Sequence, residues 1–192
     1  TLGILQIILG LSMIAPILTQ FFYDEFDSSF ISSGIVTIIF GILFLLSNLD
    51  HDKKISLPQA FLLTALSWLS IAVFGSLPFI FSEINLSATD AFFESMSGIT
   101  TTGSTIITNL NETPKSILLW RGMLQWLGGI GIIVMAITLM PLMNIGGMQL
   151  FIISTSDTPE KILPRSKEIA LRLILIYSGL TFICALFYKI FG

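Results

Sequence analysis

Gly98-Ile99-Thr100-Thr101-Thr102-Gly103-Ser104-Thr105 is the stretch that decides the fold, because it combines glycines with a run of small hydroxyl residues. The segment just before it, 87–97, begins with Ser87-Ala88-Thr89-Asp90, in which a serine precedes an acidic residue by three positions. That spacing is typical of the start of a helix. The sequence therefore predicts a short helix over about 87–97 and an extended segment over about 98–105.

The length of this short helix indicates a re-entrant loop. A helix of about 11 residues spans roughly 16 Å, which is about half of the hydrocarbon thickness of a bilayer. A helix that enters a membrane from one side and ends there must be followed by a chain that turns back. Non-helical backbone at that depth is tolerated only where it is buried in protein or lines a wet cavity. The extended segment is therefore predicted to line a pore, with a flexible outer loop as the alternative.

Long apolar stretches on both sides of the loop indicate a membrane protein. Hydrophobic residues make up 54% of the 192 residues and charged residues only 11%, whereas a soluble domain is about one quarter charged. Five stretches reach the length of about 20 residues that a spanning helix needs. They are Leu2–Phe22, Phe30–Leu49, Pro58–Phe81, Ser116–Met140 and Ile169–Ile190. The predicted fold class is an all-α integral membrane protein in which a half-helix and an extended strand stand between two spans.

The charges of the connecting segments predict the orientation in the membrane. Segments 50–57 and 155–168 contain lysine or arginine, whereas 23–29 contains acidic residues and no basic residue. Short basic loops face the cytoplasm. We therefore expect a cytoplasmic N-terminus, with 23–29 and 82–115 on the outer side. The acidic segment 23–29 is interpreted as a solvated loop rather than as a feature that attracts cations.

The composition argues against several classes of function. Nine basic and twelve acidic residues give a net charge of −3, whereas nucleic-acid binding requires a basic surface. The sequence offers no nucleophile–base pair, metal-ligand cluster or glycine-rich phosphate loop, so we expect neither an enzyme nor an organic cofactor. The single histidine, His51, has no second histidine or cysteine beside it and is interpreted as a solvated loop residue.

The loop has the chemistry of a cation site. A cation that leaves water must regain its ligands, and backbone carbonyls supply them in the Thr-Val-Gly-Tyr-Gly loops of potassium channels. Segment 101–105 matches that pattern at its first threonine and at Gly103. A glycine there permits backbone angles that a Cβ would oppose. The C-terminus of the preceding helix adds partial negative charge, and Asp90 near its N-terminus has the sign that the same dipole favours.

Two ionisable residues are candidates for holding the loop in place. Glu94 lies within the short helix, and Arg121 lies near the outer end of the next span. Ionisable groups at such depth usually pair or mark a pathway. We therefore predict that Glu94 and Arg121 lie close together and brace the loop. The alternative is that Arg121 extends to the lipid headgroups.

The fourth predicted span contains residues suited to packing against the loop. Trp120 is interpreted either as packing behind the extended segment or as part of an interfacial aromatic belt. Gly128 and Gly129 place small residues in the middle of this span. Small residues let a helix or a strand approach closely. Tight packing is the favoured interpretation of the two glycines, and a hinge is the alternative.

Several motifs together resemble the TrkH/TrkG branch of the Trk-type potassium uptake proteins. These motifs are the loop 98–105, Trp120-Arg121, Gln125–Val134, Met140-Pro141, Gly146–Leu150, and Lys161–Arg165 leading into Ile176-Tyr177. The resemblance covers essentially the whole chain. It implies four helix–pore-loop–helix repeats around one pore, each contributing one filter strand with a central glycine.

The resemblance also implies which residues meet the ion. Potassium, as the transported substrate, would be coordinated at Thr101, Thr102 and Gly103. Ser104 would line the sites with them, and Thr100 would lie just below. Asp90, Glu94, Arg121, Gly128 and Gly129 form the predicted set of pore-supporting residues.

The resemblance divides the chain into three parts. They are two N-terminal transmembrane helices (1–50), the first helix–pore-loop–helix repeat of a potassium-channel-like fold (58–154), and a cytoplasmic link with the first helix of a second repeat (155–192). Only one filter loop is present, so a native pore would need the remaining repeats of the same polypeptide. The resemblance further implies a homodimer, a cytosolic nucleotide-binding regulatory subunit and a multi-pass position in the cell inner membrane. A pore that also passes sodium and a non-conducting membrane scaffold are the alternatives.

Overall fold

The computed structural model describes residues 2–25, 27–47, 56–139 and 162–191. Most of the basic loop predicted at 50–57, with His51, lies outside these residues. The same is true of the motif residues 140–150 and of Lys161. The chain separates into two compact units, Thr1–Gly129 and Ile130–Gly192.

Within the described residues the chain is helical. The helices are α1 (Leu2–Ser12), α2 (Ile14–Phe22), α3 (Ser29–Leu46), α4 (Leu57–Gly75), α5 (Leu77–Phe81), α6 (Ala88–Ile99), α7 (Lys115–Leu139) and α8 (Ile162–Phe191). Five stretches of helix are long and apolar enough to cross a membrane: Leu2–Phe22, Ser29–Leu46, Pro58–Phe81, Lys115–Met135 and Leu171–Phe191. The predicted all-α membrane fold is confirmed, and the stretches lie close to the predicted spans.

The first and third stretches are each broken into two helices. The first breaks at Met13, three residues before Pro16, and the third breaks at Ser76, two residues before Pro78. A proline inside a helix cannot donate a hydrogen bond to the carbonyl four residues earlier, and its ring clashes with that carbonyl. Each stretch was predicted to be one continuous span, so these breaks were not predicted.

The N-terminal unit has one apolar core. Its fully buried members come from five of the helices and from the break between α1 and α2, and they are Leu9, Met13, Phe30, Phe79, Ala91, Ile117, Trp120 and Leu124. Helices α1 and α3 approach closely beside this core. A Cβ on Gly3 would lie only 2.6 Å from the carbonyl oxygen of Gly41. Small residues permit this kind of helix contact in membranes. In the second unit, the described side chains of α8, from Leu171 to Phe191, are half-buried or exposed.

Glu25 connects the leading helices to α7. One carboxylate oxygen, Oε1, accepts a hydrogen bond from the backbone N–H of Lys115 at 2.8 Å. The other, Oε2, accepts from the backbone N–H of Ser116 at 3.2 Å and from its hydroxyl at 3.1 Å. A carboxylate at a helix N-terminus satisfies donors that lack a partner within the helix, and it interacts favourably with the helix dipole. The interpretation of 23–29 as a merely solvated loop is therefore wrong at Glu25.

We expect the substitution Glu25→Gln to destabilise the protein, because hydrogen bonds to a charged acceptor contribute about 1.5–3 kcal/mol. The measurement is the melting temperature of the detergent-solubilised protein. The matched control is Asp24→Asn, which removes one negative charge from the residue that precedes Glu25. Asp24 is exposed with a positive φ of 54°, a conformation that asparagine adopts readily. Equal melting temperatures for the two variants would contradict the role given to Glu25.

Candidate functional site

Helix α6 begins with the predicted cap. The Ser87 hydroxyl oxygen accepts a hydrogen bond from the backbone N–H of Asp90 at 3.2 Å, and the hydroxyl donates to Asp90 Oδ2 at 2.7 Å. The helix then runs for 12 residues to Ile99, two residues beyond the predicted end, which gives about 18 Å. Asp90 is thus part of the cap of α6, in keeping with the sign that the helix dipole favours there.

The C-terminus of α6 is closed by the first residues of the candidate loop. The N–H of Thr101 donates to the carbonyl of Gly98 at 2.9 Å, and the N–H of Thr102 donates to that of Ser97 at 3.1 Å. These two bonds form a Schellman motif, whose left-handed position is usually a glycine. Here it is Thr101, with φ of 59°. A positive φ in a β-branched residue is an outlier that the surrounding contacts must maintain.

The same pattern continues through Gly103. Its φ is 79°, and its N–H donates to the carbonyl of Ser97 at 3.3 Å. Three successive N–H groups, of residues 101, 102 and 103, therefore point to the last turn of α6. All described peptide bonds are trans, and in a trans peptide the carbonyl points opposite to the N–H. The carbonyls of Thr100, Thr101 and Thr102 accordingly point away from α6.

These carbonyls lie on an open face of the N-terminal unit. Residues 100–106 are exposed. The described part of the chain contains no hydrogen bond to the carbonyl oxygens of residues 100–103. The Thr100 hydroxyl donates to the carbonyl of Met96 at 2.8 Å and lies 2.9 Å from the Thr102 hydroxyl. It thus ties the loop to α6 and leaves the carbonyls available.

Ser97 binds the loop on the side that faces α6, and it was not among the predicted site residues. Besides its carbonyl contacts, its hydroxyl donates to the carbonyl of Ser104 at 2.7 Å. The residue is only 6% exposed. Of the residues predicted to meet the ion, Ser104 is therefore the one whose carbonyl is engaged by α6. The sequence contained one signal for this role: Ser97 lies three residues after Glu94, which places both residues on one face of the helix.

Glu94 and Arg121 form the predicted ion pair, through Arg121 Nε and Glu94 Oε1. Glu94 is buried with 1% exposure. Its other oxygen, Oε2, accepts hydrogen bonds from the Thr105 hydroxyl and from the N–H of Ile106, both at 3.1 Å. The pair thus contacts the outer part of the return segment directly. The alternative, in which Arg121 extends to the headgroups, is not what the structure shows.

Trp120 is a core residue, so the interfacial alternative is wrong. It is fully buried, and its ring meets that of Phe30 edge to face with centroids 6.1 Å apart. Its indole N–H donates to the carbonyl of Gly75 at 2.9 Å. In an unbroken helix that carbonyl would accept from Phe79, whose N–H instead bonds to Ser76. Trp120 thus satisfies a carbonyl released at the break between α4 and α5, as membrane helices require.

Helix α7 packs against the loop with almost no clearance at Gly128. A Cβ on Gly128 would lie 1.9 Å from the carbonyl oxygen of Ile99 and 2.7 Å from its carbonyl carbon. This contact supports tight packing rather than a hinge at Gly128. Gly129, the next residue, is half-buried. One turn earlier, the side-chain amide of Gln125 lies 3.5 Å from where a Cβ on Gly103 would stand.

The arrangement presents a row of uncharged oxygen atoms to one side. The described residues contain no group of three or more histidine, cysteine or acidic side chains that could hold a metal ion. Backbone carbonyls suit a hard monovalent cation, as in the filters of potassium channels. Among the described residues, the one buried carboxylate beside the loop is that of Glu94, which is paired with Arg121. The site can therefore contribute dipoles, rather than a net charge, to an ion.

Comparison with known proteins gives consistent relatives. The TrkH family of cation transport proteins matches residues 27–192. The chain is 40% identical to the Trk system potassium uptake protein TrkI of Halomonas elongata, covering 100% of the chain and 39% of that protein. It is 41% identical to TrkH of Escherichia coli K12, covering 96% of the chain and 39% of that protein. It spans about two fifths of the length of these curated relatives.

A solved structure agrees with the sequence relatives. The crystal structure of the potassium transporter TrkH from Vibrio parahaemolyticus matches 99% of the chain and 38% of that protein, with a TM-score of 0.81 and 36% identity. The family match covers well over half of the chain. The resemblance drawn from the loop and the α7 motifs is thereby confirmed, and the chain belongs to the TrkH family of cation transport proteins.

Proposed function

We propose that this chain is the N-terminal part of a potassium uptake protein and that its loop supplies one strand of a selectivity filter. One observation carries the proposal. The N–H groups of residues 101–103 are all bonded to the end of α6, so the carbonyls of residues 100–102 point together to the open side. Successive carbonyls turned to one side are what a dehydrated cation needs. The relatives carry the name potassium uptake protein.

In this proposal potassium binds at Thr101, Thr102 and Gly103, with Thr100 just below. The C-terminus of α6 adds about half a negative elementary charge near the site. Because Arg121 neutralises the charge of Glu94, the ion interacts with backbone dipoles rather than with a net charge, and it can leave the site again. The Ser104 carbonyl, which the sequence grouped with these ligands, is bonded to Ser97 and is assigned to the support of the strand.

The rest of the pore would come from outside this chain. One strand cannot surround an ion, so the proposal assigns the other filter strands to further repeats of the same polypeptide. The division into leading helices (1–50), first repeat (58–154) and link with the next helix (155–192) belongs to this proposal. So do a cytoplasmic N-terminus in the inner membrane, a homodimer and a cytosolic nucleotide-binding regulatory subunit.

The substitution Gly103→Ser tests the proposal. A side chain at φ of 79° is strained by about 1–3 kcal/mol, and 1.4 kcal/mol is a factor of ten in an equilibrium. We therefore expect about a five- to hundredfold loss of potassium uptake at limiting potassium, or entry of sodium. The measurement is complementation of an uptake-deficient bacterium with the full-length protein that contains this chain.

The matched control is Gly122→Ser on α7. A Cβ there meets nothing within 4 Å, so we expect growth like that of the unmodified protein. Membrane abundance of both variants is measured by immunoblot. If Gly103→Ser supports growth as well as Gly122→Ser does at equal abundance, Gly103 does not shape a filter and the proposal is wrong.

A further inference from the structure

Ser97 occupies a special place between α6 and the return strand. It lies three residues after Glu94, so the two side chains lie on one face of the helix. Glu94 holds the strand at Thr105 and Ile106, whereas Ser97 holds it at Ser104. Its carbonyl also accepts the N–H groups of the two residues that precede Ser104. One small residue thus fixes three consecutive residues of the strand.

The direction of the Ser104 carbonyl differs from that of the carbonyls before it. Those of Thr101 and Thr102 point away from α6, because the N–H groups that follow them point towards Ser97. The Ser104 carbonyl instead points towards α6, since it accepts the Ser97 hydroxyl at 2.7 Å. The row of outward-facing carbonyls therefore ends before Ser104, and the change of direction coincides with this hydrogen bond.

We infer that Ser97 is a positioning residue for ion selectivity, because its hydroxyl turns the Ser104 carbonyl away from the ion path and fixes where the filter strand ends. The inference rests on the proposed function and deepens it. Without the hydroxyl, the Ser104 carbonyl loses its partner on α6, and the peptide group between Ser104 and Thr105 is free to rotate. A strand that can adjust accommodates the smaller sodium ion better than a fixed strand does. Discrimination therefore falls while conduction persists.

A pair of serine substitutions on one helix turn tests this inference. Ser97→Ala removes the donor to Ser104. Ser95→Ala is the matched control, because Ser95 is fully buried and its hydroxyl has no hydrogen-bond partner among the described residues. Both variants lose one hydroxyl from α6, but only one loses a contact with the strand. Ser97→Cys keeps the size of the side chain with a weak donor and serves as the conservative variant.

The measurement is the ratio of sodium to potassium uptake by proteoliposomes that contain the purified full-length protein. We expect Ser97→Ala to raise this ratio about two- to tenfold, the range that one hydrogen bond of ordinary net strength corresponds to. Ser97→Cys is expected to give an intermediate ratio, and Ser95→Ala a ratio like that of the unmodified protein. If Ser97→Ala does not reach the membrane, the Ser97→Cys ratio decides in the same way.

The outcomes separate this inference from the proposed function. If Gly103→Ser changes the ratio while the Ser97 variants behave like Ser95→Ala, the loop is a filter strand and the role given to Ser97 is wrong. If Gly103→Ser changes neither ratio nor rate, the proposed function itself fails. A raised ratio in Ser97→Ala, restored in part by Ser97→Cys, supports the inference.

Discussion

Replacing Gly128 by alanine is expected to abolish potassium uptake by the full-length protein. The new Cβ would lie 1.9 Å from the carbonyl oxygen of Ile99, and the atom in its way belongs to the backbone at the end of α6. Ile99 is itself buried at 2% exposure, so it has no free space to enter. Overpacking of this kind costs about 1–3 kcal/mol or more. The displacement is expected to shift the loop that begins at Thr100.

Gly122→Ala is the control for this prediction, since a Cβ at Gly122 meets nothing within 4 Å on the same helix. Both variants are compared by potassium uptake rate and by the melting temperature of the solubilised protein. We expect Gly122→Ala to be neutral in both. An unchanged uptake rate in Gly128→Ala would mean that α7 does not press on the loop as the structure indicates.

The second large effect is expected at the Glu94–Arg121 pair. Removing one partner of a buried ion pair leaves an uncompensated charge and costs about 3–5 kcal/mol. Arg121→Gln leaves the fully buried Glu94 carboxylate without its cation, so we expect severe loss of folded protein and of uptake. Glu94→Gln is expected to be milder, because the amide oxygen still accepts from Thr105 and Ile106.

The double variant Glu94→Gln with Arg121→Gln separates pairing from simple charge loss. No buried charge remains in it, so it is expected to recover stability relative to Arg121→Gln alone. Lys115→Gln, which removes an exposed cation from the same helix, is expected to be neutral. Melting temperature and uptake rate are measured for these four variants and for the unmodified protein. Simple additivity of the two single substitutions would contradict a coupled pair.

The sequence predicted those features that depend on local pattern or on length. The five apolar stretches follow from hydropathy, and the start of α6 follows from the spacing of Ser87 and Asp90. The Glu94–Arg121 pair could be proposed because two ionisable residues within apolar surroundings have few other partners. In each case a physical requirement (the thickness of a bilayer, the capping of a helix or the pairing of a charge) leaves one or two possible local structures.

The remaining features depend on three-dimensional contacts, and the same local sequence is compatible with other contacts. A serine such as Ser97 is common in membrane helices. Its spacing from Glu94 places the two residues on one helix face, but the spacing does not show which atom of the strand the hydroxyl contacts. The hydroxyl of Ser95, two residues earlier, has no partner among the described residues. The left-handed conformation of Thr101 runs against its intrinsic preference and is imposed by the closure of α6. The helix breaks near Pro16 and Pro78 were not predicted, because membrane helices often tolerate proline without a break.

The contact of Glu25 with the start of α7 has a consequence for how the protein is made. Glu25 and Lys115 are 90 residues apart in sequence, which a ribosome covers in roughly 5 to 20 s. The leading helices are therefore synthesised long before the helix whose first turn they complete. Until α7 is synthesised, the Glu25 carboxylate lacks the donors that it has in the folded protein. The order of synthesis thus means that the leading helices are in place first, and that α7 packs against them later during assembly.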